Sequence, residues 1–335
     1  MSDSSGEFIL HPILTVVRLS LEDVLSKIRV PPLPARSPDQ LQAGGTLTEV
    51  TDAQAYIANS LPVGVWGQCM VGIDFMQGLK ATISSDTYFS AHALARSALE
   101  SFAFGFWICD DRLNTNERYH RALLLHRTQI AEEQRRVLRG VKATQANQVK
   151  RYERAFADRL RLIDAGITHF ARELAQQGIS YPARVPSKPE VVQNVIRDIS
   201  PIPHAIYGTL SAVVHGDPIF AYGLMSPHTD PGRPSGPDGS VRLSTTITNH
   251  LTPAWHAISS MCICLGVASL VLKIEGDMGA MTALAKDVMG FIAHNGDEPL
   301  WFRANAPVSD EQLHSLDWYL EEKGIAPDSI GLARP

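Results

Sequence analysis

Two long amphipathic segments, at 115–145 and 147–178, leave the middle of this chain little choice but to be helical. Arg118, Arg121, Arg127, Arg135, Arg136, Arg139, Lys142, Lys150, Arg151 and Arg154 crowd their polar faces, set against Glu117, Glu132, Glu133 and Glu153. Apolar residues fill the remaining positions at helical spacing. Pro182, Pro186 and Pro189 end the run, since proline cannot continue the backbone hydrogen bonding of a helix. Further helices are expected at 9–29, 51–60, 64–80, 84–110, 189–199, 204–216, 252–274, 277–294 and 309–323, the fourth starting from a cap at Ser84 or Ser85. The loop at 31–45 is rich in proline and glycine, and so is the stretch 226–248, which opens with three turn signals in SPHTDPGRPSGPDGS. Within it, VRLSTTIT at 241–248 has strand-like alternation, but one such segment does not make a sheet. The expected fold is all-α: a single helical bundle forming one domain over 1–335, with loops at 31–45 and 226–248.

Composition bounds the function more loosely. A hydrophobic share of 44% against 19% charged can build a sizeable core, so disorder is excluded as the main state. A net charge of -5 argues against a protein that coats nucleic acid over its whole surface. Cys69, Cys109, Cys262 and Cys264 sit in apolar stretches without a CxxC pair, so buried free thiols are expected and not a disulfide framework. The N-terminus lacks the basic-then-apolar pattern of a signal peptide. The most apolar segment, 257–274, carries three serines and a lysine and reads as a buried core helix, not a membrane span. A soluble cytoplasmic protein is expected, with no membrane partner.

The first chemical constellation is YFSAHALARSALESFAFGFWICDD at 88–111. Arg96 and Glu100 are four residues apart, Trp107 follows seven later and Asp111 four after that, so they share one helix face. Charges inside so apolar a helix are costly unless paired or used. The bland alternative is an Arg96–Glu100 ion pair that braces the core. The stretch resembles class I terpene synthases, in which an aromatic-rich helix ends in an aspartate-rich magnesium motif. Here Asp110, Asp111 and Glu117 stand in DDRLNTNE, with Asn114 where a third aspartate would be. The resemblance implies Mg2+ held by Asp110 and Asp111, a pocket for a small apolar substrate lined by Arg96, Phe104 and Trp107, and a lyase of specialised metabolism acting on a prenyl diphosphate. Glu117-Arg-Tyr-His120 has the ExxH spacing of di-iron bundles but lacks the second ExxH such sites need.

The second constellation is HAIYGTLSAVVHGD at 204–217. Tyr207, Ser211 and His215 recur every four residues as one polar stripe on an apolar helix, with Gly216 placed to end it. With Glu100 they form the expected catalytic set. The two motifs "R..LE…W…D" and "Y..LS…HG" resemble an uncharacterised family of helical bacterial proteins, similar to HEPN-type domains. Ribonucleases of that type use R-x(4–6)-H, matched here by Arg121–His126 and Arg197–His204. That resemblance implies nucleic acid as a partner in place of a small molecule. A third reading is non-catalytic: the two polar stripes form a buried network that specifies helix register. A homodimer is compatible with all three. Each requires 84–111 and 204–216 to face one another.

Overall fold

The computed structural model describes residues 12–32, 51–83, 88–140, 146–197, 203–215, 226–227, 243–295 and 299–301. Among these, nine helices make an all-α fold: α1 (Pro12–Lys27), α2 (Thr51–Thr82), α3 (Tyr88–Cys109), α4 (Thr115–Gly140), α5 (Ala146–Gln176), α6 (Lys188–Ile196), α7 (Pro203–Val214), α8 (Ile247–Leu272) and α9 (Met278–Asn295). Most of the loop expected at 31–45, the cap at Ser84 or Ser85 and the helix expected at 309–323 lie outside the described residues.

Helix α3 is the hub. Ala95, Ala98, Leu99, Phe102, Ala103 and Ile108 are all fully buried along it. Its small residues let neighbouring helices approach closely. A Cβ added at Gly105 would stand 2.7 Å from Cys264 Sγ of α8, and one added to Gly72 of α2 would stand 2.6 Å from the Phe102 ring. Both approaches are closer than any side chain tolerates, so α2 and α8 pack on α3 at glycine contacts. Cys69 Sγ of α2 and Cys264 Sγ lie 4.0 Å apart at this crossing, and all four cysteines are free thiols. Helices α1 and α9 extend the same core through Ile13, Val17, Leu21, Met281 and Val288. A backbone bridge between Arg29 and Glu275 ties the end of α1 to the turn between α8 and α9.

Where two helices are expected at 51–60 and 64–80, the structure has one, with Pro62 inside it. Proline has no N–H, so the carbonyl of Ala58, four residues back, loses its helical donor. The Tyr119 hydroxyl of α4 donates to that oxygen at 3.2 Å. A tertiary contact thus replaces the missing bond and the helix continues.

The stretch 226–248 is not wholly a loop. Strands β1 (Ser226–Pro227), β2 (Leu243–Thr246) and β3 (Pro299–Trp301) form a small antiparallel sheet in the order β1-β2-β3. Ser244 pairs with both Ser226 and Trp301. The strand-like alternation at 241–248 was real, and its partners come from either side in the chain, one beyond α9. The Thr246 hydroxyl then accepts from the Asn249 N–H at 3.2 Å and caps α8, which starts earlier than its apolar run.

Helices α4 and α5 form an antiparallel hairpin with its own small core of Leu123, Ile130, Phe156 and Ile163, joined to the start of α2 through Tyr56 and Ile57. No residue of 131–139 is buried, and among the described residues none of α5 before Phe156 is. The far ends of these helices thus contribute no buried side chain among the described residues. Among the described residues one stretch, Thr248–Leu272, is long and apolar enough to cross a membrane, and 56% of its most apolar window is buried inside the fold.

Candidate functional site

The two polar stripes meet, but not as one centre. Midway along α3, Arg96 Nε donates to Glu100 Oε1 at 2.8 Å. The Tyr207 hydroxyl of α7 donates to the same oxygen at 2.9 Å and accepts from Arg96 Nη2 at 3.1 Å. Arg96, Glu100 and Tyr207 thus close a three-membered ring, with the guanidinium 5.2 Å from the Tyr207 ring centroid. Glu100 Oε2 accepts from Lys188 Nζ, at the first turn of α6, at 2.6 Å. The side chains of Arg96 and Glu100 are each only 13% exposed, whereas Lys188 is 59% exposed. One carboxylate therefore joins three helices.

The electrostatics follow from this geometry. Burial pushes the Glu100 carboxyl up, but hydrogen bonds from Lys188, Tyr207 and Arg96 and the Lys188 charge outweigh it, so it sits below the usual carboxylate range. Burial and the adjacent carboxylate raise the Tyr207 phenol. Burial opposes the charge on Arg96, while Tyr207 and Glu100 hold it in place, with a net upward shift. Glu100 is anionic and Tyr207 protonated at neutral pH.

Ser211 and His215 continue the stripe away from this ring. Ser211 is half-buried one turn on, and His215 is exposed at the end of α7, roughly 12 Å along the axis from Tyr207. Neither is among the partners that hold Glu100. The side chain of His204, Gly216, and the loop residues His228 and Asp230 lie outside the described residues.

Asp110 belongs to a second cluster, ten residues and roughly 15 Å further along α3. Its Oδ1 accepts from Arg112 Nε at 2.9 Å and from the Arg112 backbone N–H at 3.0 Å, and its Oδ2 accepts from Arg112 Nη2 at 2.7 Å. Burial raises this carboxyl, but Arg112 overcompensates and holds it below its ordinary value. Arg118 Nε donates to the Asp110 carbonyl at 3.2 Å and Arg121 Nη1 to the Trp107 carbonyl at 3.0 Å. Cations on the last carbonyls of a helix complement its dipole. Trp107 is buried beneath the Arg121 guanidinium, 5.3 Å from its ring centroid, and Phe104 packs half-buried against the core. Asp111 is exposed.

The same turn absorbs the rest of DDRLNTNE. Asn114 Oδ1 accepts from the Glu117 N–H at 2.9 Å, and Glu117 Oε2 accepts from the Asn114 N–H at 2.8 Å, a reciprocal cap that starts α4. Three of the roughly four lone-pair directions of Asp110 are taken by Arg112. Among the described residues no group of three or more His, Cys, Asp or Glu side chains is arranged to hold a metal.

Arg121 and His126 do not converge either. Five residues apart, they point about 140° from one another around α4. Arg121 braces the end of α3, and His126 stacks on Tyr56 with its Nδ1 3.0 Å from the Tyr56 hydroxyl. Sequence reasoning missed Lys188, Arg112 and Arg118 as partners. Lys188 carries no local signal, because only the docking of α6 brings it to Glu100. No family model, curated protein or solved structure matches this chain.

Proposed function

We propose that the protein is a non-catalytic helical protein of the cytoplasm, in which the Glu100 cluster is a buried polar network that fixes the register of α3, α6 and α7. The observation that carries this reading is that Arg96, Tyr207 and Lys188, from three helices, take three of the roughly four lone-pair directions of the Glu100 carboxylate. A general base or a substrate-binding acid needs an oxygen free to meet its proton or ligand. Here Oε1 is held by two donors, Arg96 and Tyr207, and Oε2 by Lys188. A satisfied network of this kind specifies one packing arrangement among the several an alanine-rich helix permits. The cyclase-like reading needs Asp110 to release Arg112, and the ribonuclease-like reading needs Arg121 and His126 to leave their present partners.

The test is direct. Purified protein incubated with a prenyl diphosphate and millimolar Mg2+ is expected to release no pyrophosphate beyond the protein-free control, and Mg2+ alone is expected to leave its melting temperature unmoved. Pyrophosphate release that disappears in a folded Asp110→Ala variant would overturn the proposal and restore the magnesium-dependent one.

A further inference from the structure

The charge of this chain is strongly segregated. Residues 115–176 carry 13 basic and 7 acidic side chains, while the whole chain carries -5. The excess concentrates toward the tip of the α4–α5 hairpin: 135–154 holds seven basic residues against Glu153 alone. Arg135, Arg136, Arg139, Lys150, Arg151 and Arg154 are all exposed. Among the described residues none of them stands within ion-pair distance of a carboxylate. Closer to the body the pattern changes, and Arg127 pairs with Asp164 at 2.6 Å.

The cations on α5 are also aligned. At 100° per residue, Arg154, Arg161 and Arg172 fall within about 20° of one another, and Lys150 within about 40°. That ridge lies nearly opposite Phe156 and Ile163, which are buried against α4. It runs roughly 33 Å along the helix. Asp158 interrupts it once, 3.4 Å from Arg161.

We propose that the distal α4–α5 hairpin docks on the phosphodiester backbone of duplex nucleic acid. Arginine outnumbers lysine there, and its planar fork matches phosphate oxygens in a way a point-charged ammonium does not. Two alternatives are less well served by the same surface. Among the described residues, no large apolar side chain is exposed anywhere on the hairpin. A membrane-surface helix needs such side chains to enter the acyl boundary, and a single-strand binder needs aromatic platforms for its bases. The acidic remainder of the chain repels phosphate, which confines contact to the hairpin and leaves the body free.

Fluorescence anisotropy of the full chain with labelled 24-base-pair RNA and DNA duplexes of mixed sequence tests this. Binding is expected at 50 mM salt, weakening steeply as salt rises, with similar affinity for unrelated sequences. A variant combining Arg135→Gln, Arg136→Gln, Arg139→Gln, Arg151→Gln and Arg154→Gln is expected to bind at least roughly tenfold more weakly, with a salt slope shallower by up to about 0.9 for each phosphate that is no longer neutralised. Its melting temperature should match the parent, because the replaced side chains touch no core. The relative affinity for the two duplexes shows which backbone the surface prefers. Failure of the parent to bind either duplex at 50 mM salt overturns the proposal. So does equal binding by the variant, or a parent dimer that the variant converts to monomer without any effect on nucleic acid, which would assign the hairpin to a second copy of this chain.

Discussion

Replacing Glu100 with alanine removes the acceptor on which α3, α6 and α7 converge. Charge-assisted hydrogen bonds at half-buried sites contribute on the order of 1.5–3 kcal/mol. The Arg96 contact belongs in that class, since both side chains are 13% exposed. The Lys188 contact does not: at 59% exposure its share is screened to under about 1 kcal/mol. Tyr207 keeps Arg96 as a partner, which softens its loss. Glu100→Ala should therefore cost about 3 kcal/mol, and Glu100→Gln, which retains a carbonyl acceptor, about 1–2 kcal/mol. Urea unfolding followed by circular dichroism at pH 7 measures both through the midpoint at constant slope. Arg96→Met combined with Glu100→Leu should cost clearly less than the two single changes added together, because each single change strands a partner. The carboxyl is held below its ordinary value of 4.5, so the native state binds fewer protons there. Its stabilisation is present above that value and lost as pH falls through the folded one, and Glu100→Ala should flatten that part of the acid limb. A loss below about 0.5 kcal/mol for Glu100→Ala, or strict additivity in the double variant, would refute the idea of a network that sets helix register.

Three other outcomes follow from single contacts. Gly105→Ala drives a methyl into Cys264 Sγ and should destabilise by about 1–3 kcal/mol, and adding Cys264→Ala should recover most of that loss; both are read from urea midpoints. Tyr119→Phe removes the side-chain donor to the exposed Ala58 carbonyl, which water can replace, and should cost about 0.5 kcal/mol, a penalty that vanishes when Pro62→Ala restores the helical N–H. His256 is buried, its Nδ1–H donates to the Thr252 carbonyl, and burial pulls its pKa down from 6.5 to about 4. The unfolded chain then binds more protons between those values, so the contribution of His256 is complete above about pH 6.5 and is lost as pH falls toward 4. His256→Leu should remove that slope from melting temperatures recorded across the range.

Helix placement was legible in the sequence because apolar periodicity is local. Helices α4 and α5 emerge within a few residues of their expected positions, and the Arg96–Glu100 pair follows from spacing alone. The single α2 was not legible, because the contact that tolerates Pro62 comes from Tyr119 on another helix. The sheet at 243–246 was missed for the same reason, its third strand lying beyond α9. The partners of the acids in the turn at 110–117 were not legible, because carboxylates in sequence do not reveal what they pair with. Asp110 is matched by Arg112 and Glu117 by Asn114, and only the path of the turn decides that. Tyr207 reached Glu100 as the polar stripes implied, whereas His215 and Asp110 each fell a turn or more away from that ring.

Helix α8 has the length and greasiness of a segment that a bilayer or a chaperone would readily accept. Its packing partners α2 and α3 precede it by well over a hundred residues, so on the ribosome they emerge first. The face of α8 that packs on α2 and α3 can then be covered almost as soon as it is synthesised, so the order of the chain itself helps shield this apolar stretch.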